Sequence, residues 1–174
     1  MGIQFETDYN METLTAMAKG LRKTVRKKRS HRVHIFAAVV LILGLLTILA
    51  TTAGGEPLGA SGVVTLLAML VVILVSLFED KLNAWFARKR LLPGTEHAVA
   101  TFEEDGYVSA TGVTESRFSY AQIVAVAETA RYFVFALSSH HTQAYDKRTI
   151  RGGSVEDFRA FIAEKTGKPV EKIK

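Results

Sequence analysis

Apolar residues along this chain follow three different patterns. Residues 33–53 and 57–78 run for 21 and 22 positions without a single Asp, Glu, Lys or Arg. About 20 apolar residues at a rise of 1.5 Å cross a ~30 Å hydrocarbon core, so each block predicts a membrane-spanning helix. Only Gly54, Gly55 and Glu56 separate the two blocks, with Gly59 and Gly62 close behind. Such a link predicts a tight antiparallel hairpin. Ahead of it, Met11, Leu14, Ala18, Leu21 and Val25 recur at spacings of 3 and 4, predicting a helix over residues 8–32. Its apolar stripe is expected to lie on a membrane surface or, by proximity, on the extension of the second span. There Leu82, Trp85 and Phe86 form an apolar face, with Trp85 placed as an interfacial anchor.

Pro93-Gly94 ends that extension, and the period then falls to two. Six short strands are predicted at 97–103, 107–111, 114–120, 122–128, 131–138 and 142–147, with Asp105-Gly106 turn chemistry after the first. The fifth is the most apolar, with Phe133, Phe135 and Leu137 on one face and Tyr132, Val134 and Ala136 on the other. Residues 2–7, where Ile3 and Phe5 alternate, supply a seventh. A helix follows Ser154, a candidate N-cap answered by Asp157, with Val155, Phe158, Phe161 and Ile162 on one face and Gly167 as its stop. The last residues, KPVEKIK, read as a frayed tail. The predicted class is α+β: a two-helix transmembrane hairpin plus a small antiparallel β-barrel-like domain closed by a C-terminal helix. It divides into a strand and basic helix (1–32), the hairpin with its helical extension (33–92) and the β domain (93–174).

Charge orients the hairpin. The net charge is +5, yet residues 94–174 carry 10 Lys/Arg against 11 Asp/Glu, a net of −1. The excess is at the flanks. Arg22, Lys23, Arg26, Lys27, Lys28, Arg29 and Arg32 precede the first span, and Lys81, Arg88, Lys89 and Arg90 follow the second. The loop holds only Glu56. Positive flanks and an uncharged-to-acidic loop predict a multi-pass protein of the inner (plasma) membrane with both termini in the cytoplasm. The 32-residue polar lead and the second span argue against a cleaved leader, and Glu6 stands where a myristoylation signal wants Ser or Thr. A folded module without basic excess also argues against nucleic acid as a partner. The basic run fixes topology, and contact with anionic headgroups is its second possible role.

Chemistry is sparse. The absence of cysteine excludes disulfides, thiolate metal sites and thiol nucleophiles. No P-loop, dinucleotide glycine fingerprint, HExxH or GxSxG is present, so no enzymatic activity, cofactor or metal is expected. His140-His141 reads as a solvated loop pair, and His31, Arg32 and His34 as membrane-boundary residues. Glu103-Glu104-Asp105 reads as a charged turn. Ser61, Ser76, Thr47, Thr51 and Thr65 in the spans suit hydrogen bonds between helices. Lys147, Arg148 and Arg151 form the candidate contact for an anionic ligand, a lipid phosphate or an acidic peptide.

Three segments carry a resemblance: AVATFEEDGYVSA at 98–110, SRFSYAQIVAVAETARYFVF at 116–135, and DKRTI ahead of VEDFRAFI. In these the chain resembles the YcxB-like family of bacterial membrane proteins. That resemblance implies a short strand, a basic helix, two spans and a C-terminal β module similar to bacterial pleckstrin-homology-like domains. Asp146 stands before Lys147-Arg148 where that family commonly has Pro. No reaction or ligand comes with the family. The expected function is therefore non-enzymatic, a cytoplasmic β module held at the bilayer for interaction with a protein partner or with its own copy. The alternative is a sensor of anionic lipid or another anionic ligand.

Overall fold

The computed structural model describes residues 2–55 and 57–173; Glu56, the one acidic residue expected in the hairpin loop, lies outside them. In chain order the elements are β1 (Ile3–Asp8), α1 (Met11–Lys23), α2 (Lys27–Ala53), α3 (Ala60–Leu77), α4 (Glu79–Lys89), β2 (His97–Phe102), β3 (Tyr107–Thr111), β4 (Glu115–Phe118), β5 (Ala125–Glu128), β6 (Tyr132–Ala136), β7 (Thr142–Asp146), α5 (Val155–Thr166) and β8 (Val170–Lys172). They fall into two compact units. One is the chain up to Lys27 together with the chain from Asn83 onward, and the other is Lys28–Leu82.

The first unit holds two four-stranded sheets, in the orders β1-β2-β3-β4 and β7-β6-β5-β8, and neither closes into a barrel. The expected barrel-like module is thus two open sheets. The chain leaves the short β4 through a 3₁₀ turn at Tyr120–Gln122 and starts β5 in the other sheet. Consequently the predicted strand at 122–128 shortens to Ala125–Glu128, and Tyr120 falls in the turn. The N-terminal strand is real: Phe5 lies opposite Ala100 and Thr7 opposite Ala98 in an antiparallel pair. The tail does not fray as far as Ile173, and Lys174 lies outside the described residues. Val170 pairs with Val126 in a parallel ladder, and the Ile173 N–H donates to Glu128 O at 2.8 Å. An open β5 edge, together with the packing of Val170 on the aromatic core and of Ile173 on the outer cluster, outweighs the polar composition that suggested disorder.

Aromatic rings fill the space between the sheets. Phe5, Phe102, Phe133 and Phe135 are fully buried there with Phe158 and Ile162 of α5. The Phe158 ring lies 4.7 Å from Phe5, 4.8 Å from Phe102 and 5.0 Å from Phe133. α5 is held at its ends as expected. Ser154 and Asp157 form a reciprocal capping box, and Gly167 takes a left-handed φ of 64° that a side chain would disfavour.

Two expectations about the N-terminal helix are overturned. It ends at Lys23, because the Arg26 N–H reaches five residues back to Leu21 O and residues 24–26 make a turn. Nor does its apolar face lie on the α4 extension, where Leu82, Trp85 and Phe86 stay exposed. Leu14, Ala16, Gly20 and Leu21 are buried instead, against the outer face of the second sheet, where Ala16 clusters with Ala127, Tyr132, Val134 and Ala144. A Cβ on Gly20 would sit 2.7 Å from Val134 Cγ1, so helix and strand touch through glycine. As a result β6 is buried on both faces.

In the second unit, α2 and α3 are the two helices long and apolar enough to cross a membrane, with none of their apolar windows buried. α2 starts at Lys27, so Lys27, Lys28, Arg29 and Arg32 are its opening turns. A Cβ on Gly44 would lie 2.8 Å from Met69 Sδ, which marks a close approach of α2 and α3. The hydroxyls of Thr47, Thr51 and Thr65 do not bridge the helices. Each donates to the carbonyl four residues back, at 2.9 Å, because that acceptor is always in reach in a helix.

Candidate functional site

Two places in the β unit bring polar side chains together. The first contains the basic residues singled out in the sequence. β7 ends at Asp146, whose carboxylate caps the 3₁₀ turn Lys147–Thr149 by accepting from the Arg148 N–H. This turn spreads the three cations apart. Lys147 Nζ reaches Glu128 Oε1 at 3.0 Å and Thr129 O at 2.7 Å. Arg148 Nη2 bonds Asp146 Oδ2 at 3.0 Å, and Arg151 Nη2 lies 3.1 Å from Glu6 Oε1. Each cation thus faces its own carboxylate on a different element.

Two of those carboxylates are buried and shared. Glu128, 5% exposed, also accepts from Arg159 Nε at 2.7 Å and Nη2 at 2.8 Å. The hydrogen bonds from Arg159, reinforced by Lys147, hold its carboxyl down at about 2 despite burial. Asp146 accepts from Arg131 Nε at 3.0 Å as well as from Arg148, and Arg131 in turn bonds Glu12 of α1. Asp146 is therefore a buried anchor joining β7, β6 and the following turn. This arrangement clamps helix α5 to β5 and α1 to β6. A buried charge is stable only when paired in this way.

The second place was not foreseen. Beside α1, the inner faces of β3, β4 and β7 leave a cleft of about 290 Å³. Gln143, 7% exposed, stands on its lining. Its Oε1 accepts from the hydroxyls of both Tyr107 and Tyr145 at 2.7 Å. Burial pushes both phenols above their ordinary value, and Tyr9, also on the lining, is pushed up to about 12. All three therefore remain neutral near pH 7. The remaining wall carries Thr95, Ser109, Thr111, Thr114, Ser116 and Thr142 with Leu14, Met17, Leu91, Phe118 and His141, and no Asp, Glu, Lys or Arg. In the sequence these hydroxyl residues are ordinary strand alternation. The pairing of Ser109 with Ser116 and with Ala100 sets the two serines on one face of the first sheet, while Thr142 is supplied by β7 of the second.

The other sequence candidates separate. His140 and His141 are exposed loop residues, His140 Nδ1 bonding Ser139 Oγ at 2.8 Å. Glu104 of the acidic turn is ion-paired to Lys165, whose hydrogen bond holds its carboxyl below the usual range. Arg26 Nε donates to Ser139 O at 2.6 Å, tying the start of the basic neck to the β6–β7 loop. Lys89 stacks over Trp85 at 3.6 Å. Arg22, Lys23, Arg88 and Arg90 are in α1, α4 and the residue after it. Among the described residues no group of three His, Asp or Glu is arranged to hold a metal ion.

No curated protein and no solved structure matches the chain. One family model does, over residues 102–162, a stretch that begins at the end of β2, carries β3–β7, Glu128, Asp146 and Gln143, and ends inside α5. In that stretch, the central part of the β unit, the chain is similar to the YcxB-like protein family.

Proposed function

We propose that this is an integral protein of the inner (plasma) membrane, spanning it twice with both termini in the cytoplasm, and that it works as a non-catalytic interaction module. Two uncharged apolar helices with 11 flanking Lys/Arg and none in the loop support the topology. The order of the sandwich, four antiparallel strands, three more and then a helix, supports reading it as a pleckstrin-homology-like domain with an added eighth strand. The observation that carries the interaction reading is β4. It ends the first sheet, pairs only with β3, and its residues 115–117 are exposed. A free strand edge of this kind accepts a further strand through main-chain hydrogen bonds. The pairing of Lys147, Arg148 and Arg151 with Glu128, Asp146 and Glu6 weighs against an anionic-lipid sensor built on those residues.

The cysteine-free sequence makes the test direct. In intact cells, Gly54→Cys is expected to react with a membrane-impermeant maleimide, and His140→Cys only after permeabilisation; the reverse pattern overturns the topology. Arg117→Cys, oxidised in native membranes, is expected to form a disulfide-linked dimer if the module self-associates. A discrete crosslink to another protein through a photoreactive maleimide at the same position supports a foreign partner. With neither product, the strand-edge reading fails.

A further inference from the structure

The cleft between β3, β4 and β7 has the features of a built site. Gln143 is more than nine-tenths buried, and two tyrosyl hydroxyls hold its carbonyl. Gln143 lines the cleft, and because no buried side-chain N or O is left unpartnered among the described residues, its carboxamide N–H₂, which bonds no protein group there, reaches the cleft's solvent. The hydroxyls of Ser109, Ser116 and Thr142 are likewise without a protein partner among the described residues. Solvent-facing donors and acceptors gathered on one hollow point to a ligand that supplies the matching groups.

Charge and shape restrict that ligand. No lining side chain is Asp, Glu, Lys or Arg, and burial keeps Tyr9, Tyr107 and Tyr145 protonated. A cation entering here would lose hydration without a counter-charge, and an anion would meet only the exposed His141 imidazole. Leu14, Met17 and Phe118 add an apolar wall to the hydroxyl-bearing one. At about 290 Å³ the cleft is at the small end of ligand pockets, room for one ring. We propose that it binds an uncharged hydroxylated ring, a monosaccharide either free or as the headgroup of a neutral glycolipid. The proposal is independent of the β4 edge and of the topology.

Full-length protein is prepared in lauryldimethylamine oxide, because maltoside detergents carry the proposed chemistry themselves. Saturation-transfer NMR with methyl glucoside, methyl galactoside and glucose 6-phosphate then reads binding. The expected result is transfer to at least one neutral glycoside, with the phosphate bound at least about tenfold more weakly. Ser116→Ala/Thr142→Val removes two hydroxyls and is expected to weaken binding about tenfold with an unchanged melting curve. If that variant melts early, Ser109→Ala serves in its place. Nanodiscs containing monoglucosyl diacylglycerol separate the sources: displacement of the free glycoside there assigns the headgroup, and no displacement assigns the free sugar. Absence of transfer from both the free glycosides and the glycolipid overturns the proposal. Tighter binding of the phosphate, or binding indifferent to the hydroxyl variants, does so equally.

Discussion

Replacing Glu128 by Gln keeps the shape of the side chain and removes the charge that Lys147 and Arg159 share. In the native protein three donor contacts of 2.7 to 3.0 Å converge on this carboxylate. They hold its carboxyl at about 2, against an ordinary 4.5. A depression of that size corresponds to about 3 kcal/mol of stability at neutral pH. That is at the low end of the 3–5 kcal/mol expected for breaking a buried pair, as suits partners whose side chains are 14% and 27% exposed. The sign follows from the direction of the shift. A carboxyl whose folded pKa is depressed stabilises fully above its unfolded pKa, and that contribution is lost as pH falls toward the folded value. The difference between native protein and Glu128→Gln is therefore expected to be constant from pH 7 to about 5.5. Between 4.5 and 2 it shrinks steadily. The assay is urea or thermal unfolding of the full-length protein in a non-ionic detergent, followed by tyrosine near-UV circular dichroism. All five tyrosines belong to the β unit, so that signal ignores the apolar helices. A difference below 1 kcal/mol at pH 7, or one that persists undiminished at pH 2.5, would refute the buried-clamp account.

Two further substitutions probe the packing. Phe133→Ala removes a fully buried ring that touches both Phe5 and Phe158 and is expected to cost about 3–5 kcal/mol in the same unfolding assay; an unchanged transition would displace β6 from the core. At Gly20, Ala gains about 1 kcal/mol of helix propensity while pressing on Val134, so Gly20→Ala is expected to be close to neutral. Gly20→Val adds branched bulk at the same contact and is expected to destabilise by roughly 1–3 kcal/mol. Equal stability of the Ala and Val variants would show that α1 does not meet β6 at this point.

Much of the architecture is written in local pattern. Two uncharged runs longer than 20 residues have few alternatives to long apolar helices, and α2 and α3 occupy them. The alternation of Ile3 with Phe5 and of Phe133 with Phe135 marks strands whose inward residues are the most buried. Ser154, Asp157 and Gly167 bound α5 because capping is short-range chemistry, decided within four residues of the helix end. What local pattern cannot carry is the partner of each face. The stripe on α1 shows that one side is buried but not that Val134 and Ala144 cover it. Gly20 reads as a helix weakness until β6 is found against it.

The sequence by itself thus determined the elements, the apolar helices, and the charge asymmetry of their flanks, all properties of neighbouring residues. Tertiary structure alone decided three things. The tail forms β8, because β5 offered an unsatisfied edge. Lys147, Arg148 and Arg151 spread to three carboxylates, one of them 145 positions away in sequence, instead of forming one basic patch. And the meeting of two sheets brought scattered serines and threonines of β3, β4 and β7 to one cleft beside Gln143. Burial, ion pairing and cleft formation depend on contacts between residues far apart in sequence, and these exist only once both sheets have closed on the aromatic core.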